Sequence, residues 1–150
     1  MHFIKQDITT VLGKSILLNG VNCQRVMGSG VAKAYFTKWP KVRKQYMSFT
    51  KDQMVLGMID PVWVEEDICV MNMWTQEYYG RDNKVYASLI HIEEAINKTF
   101  NYAISRGIYN IYSPRIGCGL GGLPWQHVET MLSKQERLYY PNINLIICDI

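Results

Sequence analysis

Two glycine-rich turns, each lying between a strand-like run and a helix-like run, are the feature that most restricts how this chain can fold. The first reads NCQRVMGSGVA over residues 22–32, and the second reads PRIGCGLGGLPW over residues 114–125. A short apolar run next to glycine predicts a buried strand, and apolar residues three or four apart predict a helix. Both turns therefore connect the end of a strand to the start of a helix, as is typical of α/β domains.

Strand-like and helix-like segments also alternate along the rest of the chain. Apolar runs predict strands over residues 2–8, 15–22, 57–64, 67–75, 108–113 and 142–150. Helical spacing and helix-ending residues predict helices over residues 28–40, 41–50, 83–106 and 124–139. This order predicts an α/β domain with helices on both faces of a mixed or parallel sheet. Ligands of such sheets bind beyond the carboxyl ends of the strands, where both glycine-rich turns lie.

The composition is typical of one globular domain. The chain has 150 residues, of which 48% are apolar, and its formal net charge is +3. We expect residues 1–150 to form a single domain with a full-sized core, and we expect the protein to be a monomer. A charge this small does not by itself indicate a nucleic-acid partner.

The cysteines and the N-terminus bear on the compartment. Cys23, Cys69, Cys118 and Cys148 show no C-x-x-C spacing and no neighbouring histidine cluster. We therefore expect neither a metal site nor a disulfide framework, and free thiols are typical of a reducing compartment. Residues 1–10 are too short and too polar for a signal peptide, and no apolar run reaches membrane-spanning length. These features predict a soluble cytoplasmic protein without a membrane partner.

The glycine spacing of the second turn allows more than one kind of phosphate site. Gly117, Gly119 and Gly122 match G-x-G-x-x-G, but a dinucleotide-binding domain needs a further strand ended by an acid, and here the following strand ends at Asp149. Neither turn has the G-K-[ST] of a Walker A loop. Two glycine-rich turns at one sheet edge can bind a diphosphate through backbone N–H groups and helix N-termini. Glycines that merely permit tight turns remain the alternative.

Three motifs in order resemble the macrodomain family, whose members bind ADP-ribose. QDIT (6–9) resembles the family's N-terminal G-D-[IL] motif, with Gln6 where glycine is usual. Residues 17–40 resemble the N-x-x-N segment and first glycine loop, and residues 114–125 resemble the second phosphate loop. The resemblance covers nearly the whole chain and implies a three-layer α/β/α fold around a mixed, six-stranded sheet. The second loop and NMWTQ (72–76) are most similar to the branch holding ADP-ribose-1''-phosphate phosphatases, phage-type macrodomains and terminal ADP-ribose protein glycohydrolases.

The resemblance also implies a set of ligand contacts. Asp7 would accept a hydrogen bond from the adenine amine, assisted by the Ile8 backbone, and Asn22 would contact the distal ribose as the candidate catalytic residue. One side of the diphosphate and distal ribose would be lined by Gly28, Ser29, Gly30 and Val31. The other side would be lined by Ile116, Gly117, Cys118, Gly119, Leu120 and Gly121. From the residues alone, Asp7 could equally cap a turn, and Asn22 could form a turn at a strand end.

The chain departs from the deglutamylating members of this branch at two positions. Those members use a lysine soon after the central strand and an aspartate after the second loop's glycines. The aligned residues here are Gln76 and Gly121, which can neither form a covalent adduct nor act as a base. Lys84 lies near the lysine position, but the alignment there is loose. Cys118 does not begin a C-x5-R phosphatase motif, because position 124 is proline, so we interpret it as a small loop residue.

Three functions follow from the resemblance. The first is a phosphatase that converts ADP-ribose-1''-phosphate to ADP-ribose without a cofactor. The second is a non-catalytic module that binds ADP-ribose or ADP-ribosylated macromolecules. The third is a hydrolase of ADP-ribosyl groups on protein or nucleic acid. The branch resemblance favours the first, the lack of a recognisable general base favours the second, and the missing lysine–aspartate pair opposes the third.

Overall fold

The computed structural model describes residues 1–149, which form one mixed sheet with helices packed on both of its faces. Within these residues the strands are β1 (His2–Lys5), β2 (Ser15–Asn22), β3 (Ile59–Trp63), β4 (Ile68–Gln76), β5 (Asn110–Ser113) and β6 (Asn144–Asp149). The α-helices are α1 (Gly30–Lys38), α2 (Lys41–Met47), α3 (Leu89–Ser105) and α4 (Trp125–Tyr139). Short 3-10 turns cover Ile8–Thr10 and Lys51–Gln53.

The sheet has the strand order β1-β6-β5-β2-β4-β3. Neighbouring strands run parallel from β1 through β4, and only the edge strand β3 is antiparallel to its neighbour. The predicted α/β fold with a mixed six-stranded sheet is therefore confirmed. As a result, the five parallel strands all end at the same edge of the sheet.

The central strand β2 has core packing on both of its faces, which accounts for its unbroken apolar run. Ile16 and Leu18 pack on the side of α3 and α4, whereas Leu17 and Val21 pack on the side of α1 and α2. Successive strand residues point to opposite faces, so alternate positions supply the two cores. The helices thus form two outer layers around the sheet, as the three-layer prediction requires.

Helix α3 begins later than the sequence predicted. Helical spacing placed its start near Asn83, but the helix starts at Leu89. The backbone N–H groups of Tyr86 and Ala87 donate to the Gly121 carbonyl at 2.8 and 3.0 Å, so this stretch is held extended. Val85 fits the helical pattern yet is 62% exposed, because tertiary contacts override local periodicity here.

Other boundaries also differ from the prediction by a few residues. The strand predicted over residues 2–8 ends at Lys5, because the chain turns into the 3-10 segment that follows Asp7. Helix α4 begins at Trp125, with Pro124 as its extended N-cap rather than its first helical residue. The strand predicted over 142–150 covers Asn144–Asp149, and residue 150 lies outside the described residues.

Across residues 1–149, no helix combines the length and the apolar character that crossing a membrane requires.

Candidate functional site

A cleft of about 580 Å³ lies along the edge where the parallel strands end. Two connections line it: the first loop, residues 23–29 between β2 and α1, and the second loop, residues 114–124 between β5 and α4. The segment joining β4 to α3, residues 77–88, also reaches the cleft at residues 79–81. Adjacent strands are about 4.8 Å apart, so the edge from β1 to β4 spans roughly 19 Å.

The side-chain amide of Asn22, at the end of β2, makes most of its hydrogen bonds to the first loop and to Tyr46. Its Oδ1 accepts hydrogen bonds from the Gln24 N–H at 2.9 Å and from the Tyr46 hydroxyl at 3.0 Å. Its Nδ2 donates to the Val26 carbonyl at 2.8 Å. The second Nδ2 hydrogen has no acceptor among residues 1–149, and Asn22 lines the cleft. Asn22 therefore fixes the loop and keeps one donor available to a ligand.

Hydrogen bonds between the β2 end, the first loop and α2 support the first loop. The Tyr46 hydroxyl also lies 2.7 Å from the Asn22 carbonyl oxygen, and the Tyr46 side chain is fully buried. Burial raises the pKa of this hydroxyl to about 12, so it remains a donor at neutral pH. Arg25 has a φ of 61° and donates from Nη2 to the carbonyl of Met47, the last residue of α2, at 2.7 Å.

The first loop presents unpaired amides to the cleft. All four ligand contacts that the sequence predicted at this turn line the cleft: Gly28, Ser29, Gly30 and Val31. Their N–H groups have no acceptor in the part of the chain that the structure describes. The last two belong to the N-terminus of α1, where the helix field favours an anion.

The second loop also lines the cleft, but its amides divide into two groups. The N–H groups of Ile116 and Cys118 donate inside the loop, to Pro114 at 2.8 Å and to Arg115 at 3.2 Å. The loop N–H groups without an acceptor among the described residues are those of Arg115, Gly117, Gly119, Leu120 and Gly121. Of the six second-loop contacts predicted from the sequence, all line the cleft and four offer a free backbone donor.

Gly121 is packed too tightly to carry a side chain. A Cβ at this position would lie 2.6 Å from the Gly117 carbonyl oxygen and 2.9 Å from the Ala87 Cβ. The loop also accepts hydrogen bonds at this point, since the Gly121 carbonyl receives the N–H groups of Tyr86 and Ala87. An aspartate, which deglutamylating macrodomains are expected to carry at this position, has no room here. By contrast, no protein atom lies within 4 Å of a Cβ built at Gly28 or Gly119.

Cys118 is a half-buried thiol of the second loop. Its Sγ lies 3.5 Å from the Ile116 carbonyl oxygen. Burial raises the pKa of this thiol, with a smaller opposing effect from the Arg115 charge. The thiol form is a poor nucleophile, which agrees with the interpretation of Cys118 as a loop residue.

The cleft is lined by positive but not by negative side chains. No Asp, Glu or His is among its lining residues within the described chain, and its cations are Arg81 and Arg115. Arg115 is already engaged: it donates to both Asp149 carboxylate oxygens at 2.8 and 3.0 Å and lies over the rings of Phe3 and Trp125. The surroundings therefore favour an anionic ligand that backbone amides bind directly.

Asp7 and Ile8 lie past the end of β1, beyond the residues that line the cleft. The Asp7 Oδ1 accepts hydrogen bonds from the Thr9 N–H at 2.9 Å and the Thr9 hydroxyl at 2.8 Å. The backbone hydrogen bond is the main cause that lowers the pKa of this carboxyl. Asp7 thus caps the 3-10 turn, and its contact with an adenine stays a prediction.

Several cleft residues were not found by sequence reasoning. They include Thr75 near the end of β4 and residues 79–81 of the following segment. That segment has no periodicity and no motif, so nothing in the sequence points to it. Gln76, aligned with the lysine of deglutamylating relatives, donates from Nε2 to the Tyr78 carbonyl at 2.7 Å. Lys84 does not line the cleft, and its Nζ lies 3.7 Å from the Asp82 Oδ2.

Sequence comparisons find relatives that span most of the chain. Of the family models searched, none matches. The chain is 23% identical to the ADP-ribose 1''-phosphate phosphatase of Candida glabrata, over 91% of this chain and 93% of that protein. It is 29% identical to an uncharacterized 17.5 kDa protein of Enterobacteria phage T4, over 99% of this chain and 96% of that protein.

Solved structures share the fold over nearly all of the chain. The macrodomain of Mycobacterium tuberculosis DarG matches with a TM-score of 0.85 at 22% identity, over 99% of this chain and 97% of that one. A Trypanosoma brucei macrodomain in complex with ADP-ribose matches with a TM-score of 0.75 at 14% identity, over 97% of this chain and 62% of that one. The chain therefore has the macrodomain fold, and its sequence is similar to relatives that include ADP-ribose 1''-phosphate phosphatases.

Proposed function

We propose that this chain binds ADP-ribose along the cleft and hydrolyses ADP-ribose 1''-phosphate to ADP-ribose and phosphate. The observation that carries the proposal is the pair of loops lining one cleft with unpaired backbone N–H groups. A diphosphate between them would be bound by amides from both sides and by the field of α1. The phosphatase name of the Candida glabrata relative and the ADP-ribose bound to the Trypanosoma brucei macrodomain support this assignment.

The order of groups along the sheet edge agrees with the order of groups in the ligand. Asp7 follows β1 at one end, the two loops follow β5 and β2 in the middle, and Arg81 follows β4 at the other end. An extended ADP-ribose has adenine at one end, a diphosphate in the middle and the distal ribose at the other end. In this orientation adenine would lie near Asp7 and the distal ribose near Asn22.

The proposed reaction depends on positioning more than on acid–base chemistry. Water attacks phosphorus, the bond between phosphorus and the O1'' oxygen breaks, and one water proton ends on that oxygen. Phosphoryl transfer leaves little covalent chemistry to the protein, so orientation and stabilisation of oxygen charge do most of the work. The free Nδ2 hydrogen of Asn22 would hold the distal ribose, and the loop amides would bind the anionic oxygens.

A non-catalytic ADP-ribose reader is the second candidate. It is favoured by the cleft lining, which within the described residues contains no carboxylate or imidazole to act as a general base. A hydrolase of glutamate-linked ADP-ribose is disfavoured, because Gln76 replaces the lysine and Gly121 has no space for the aspartate.

Phosphorus NMR of the protein with ADP-ribose 1''-phosphate separates these candidates. We expect the monoester signal to convert to inorganic phosphate, and Asn22→Ala to slow the conversion. Calorimetry should show ADP-ribose binding in preference to AMP and NAD. Binding without phosphate release would make the protein a reader, and efficient release of ADP-ribose from glutamate-modified protein would make it a glycohydrolase.

A further inference from the structure

Arg81 lies at the end of the cleft that the proposed function gives to the distal ribose. Its segment starts beside the first loop: the Cys23 N–H donates to the carbonyls of Gln76 and Glu77 at 3.1 and 3.2 Å. The Gln24 Nε2 donates to the Glu77 carbonyl at 3.2 Å. Arg81 therefore follows the strand next to Asn22, far from the Asp7 end of the sheet.

Within the described residues, the Arg81 guanidinium has no carboxylate partner. The adjacent Asp82 is used by other groups: its Oδ1 accepts from the Tyr86 hydroxyl at 2.7 Å, and its Oδ2 lies 3.7 Å from the Lys84 ammonium. The other cleft arginine, Arg115, is engaged by Asp149 on both oxygens. Arg81 is thus the cleft cation whose charge is left for a ligand.

The backbone on both sides of Arg81 is braced by side-chain contacts. Gly80 packs against Tyr86 so closely that a Cβ at position 80 would overlap the Tyr86 hydroxyl. That hydroxyl is in turn fixed by Asp82, and Gln76 donates to the carbonyl of Tyr78. These contacts hold the backbone of residues 79–81 at the cleft, so the Cα from which the Arg81 side chain extends has a defined position.

We infer that Arg81 binds the terminal phosphate of ADP-ribose 1''-phosphate and makes the cleft prefer this ligand over ADP-ribose. The inference rests on the proposed function. A phosphate monoester adds about 1.5 to 2 negative charges at neutral pH, and a guanidinium matches its oxygens with two parallel hydrogen bonds. If the loop amides bind the diphosphate as proposed, the additional charge of the monoester would lie at the Arg81 end of the cleft. During hydrolysis the same contact stabilises charge on the phosphoryl oxygens.

The test compares Arg81→Gln with Lys84→Gln, which removes the same charge three residues away from a side chain that does not line the cleft. Calorimetry is run with ADP-ribose 1''-phosphate and with ADP-ribose. We expect Arg81→Gln to weaken binding of the phosphorylated ligand about 10- to 100-fold and to change ADP-ribose affinity less than about twofold. Lys84→Gln should change neither, and Arg81→Lys should retain part of the preference.

The outcomes separate this inference from the function on which it rests. If the wild type binds both ligands and Arg81→Gln weakens both equally or neither, the inference is overturned and the proposed function stands. If Arg81→Gln selectively loses affinity for ADP-ribose 1''-phosphate but the wild type releases no phosphate, the inference is supported and the protein is a non-catalytic reader. A wild type that binds neither ligand overturns both.

Discussion

The two loops present similar free amides, but they are held in place in opposite ways. Side-chain hydrogen bonds hold the first loop, since the Asn22 amide, the Tyr46 hydroxyl and the Arg25 guanidinium are all bonded to backbone groups. The second loop is held mainly by its own backbone, which bonds internally and packs against residues 84–87. One loop therefore depends on specific side chains, and the other depends on the absence of a side chain at Gly121.

This difference separates two reasons for a glycine. Gly121 is needed because neighbouring atoms occupy the place of a Cβ, whereas Gly28 and Gly119 border open space. Substitutions at the first kind of glycine should damage the fold, and substitutions at the second kind should damage only the ligand site. The following predictions test that separation, from the largest expected effect to the smallest.

Occluding either loop should abolish binding without changing stability. In Gly28→Val and Gly119→Val the new side chain projects into space that has no protein atom within 4 Å of its Cβ. We expect ADP-ribose affinity to fall at least 100-fold, about 2.7 kcal/mol, in both variants. Calorimetry measures the affinity, and urea unfolding should give midpoints equal to that of the wild type. Retained affinity in one variant would show that its loop does not contact the ligand.

Adding one methyl group at Gly121 should destabilise the second loop. Gly121→Ala forces the Cβ against the Gly117 carbonyl and Ala87, so we expect the free energy of unfolding to fall by about 1–3 kcal/mol. Gly119→Ala is the matched control and should lie within about 0.5 kcal/mol of the wild type. Equal unfolding curves for the two alanine variants would contradict the packing described for this loop.

Removing one hydroxyl should loosen the first loop. Tyr46→Phe removes the buried hydroxyl that bonds to the Asn22 carbonyl and Oδ1, and we expect a loss of about 1–2 kcal/mol in unfolding free energy. ADP-ribose affinity should fall as well, because Asn22 loses its support from α2 and holds the loop less firmly. Tyr112→Phe is the control, since its hydroxyl makes no hydrogen bond among residues 1–149. Wild-type affinity in Tyr46→Phe would mean that the first loop needs no support from α2.

The smallest effect is expected at Asp7, which belongs to neither loop. Asp7→Ala removes the cap of the 3-10 turn, so stability should fall by about 0.5–1 kcal/mol at neutral pH. The folded-state pKa of Asp7 is lowered, so the stabilisation is present above the unfolded pKa near 3.9 and is lost as pH falls through the folded value. The difference between variant and wild type should therefore shrink below pH 4, and a difference independent of pH would contradict the carboxylate's role.

The fold could be predicted from the sequence because its signals are local. Apolar runs and helical spacing identify each strand and helix, and the glycines identify the two loops. The start of α3 was wrong because Val85 and Tyr86 fit the helical pattern while their neighbourhood is bonded to Gly121. No local signal reports a contact to a carbonyl 35 residues away in the chain.

The site could be predicted only in part, for a similar reason. The loop glycines and Asn22 lie in recognisable motifs, and the structure brings them to one cleft. Tyr46 and Arg25 were missed because their roles arise from contacts between β2, the first loop and α2. Arg81 was missed because its segment has neither motif nor periodicity, and only the strand order brings it beside Asn22.

The charge composition of the cleft lining has a consequence for how activity varies with pH. Its described side chains include no carboxylate and no imidazole, and burial raises the pKa of the Cys118 thiol above its ordinary value. The described lining therefore contains no side-chain type that ordinarily titrates between pH 5 and pH 8. The group that titrates in this range is the substrate's own phosphate monoester, with a second pKa near 6. The pH profile of turnover should then follow the ionisation of the ligand, and ADP-ribose binding should be flat across the same range.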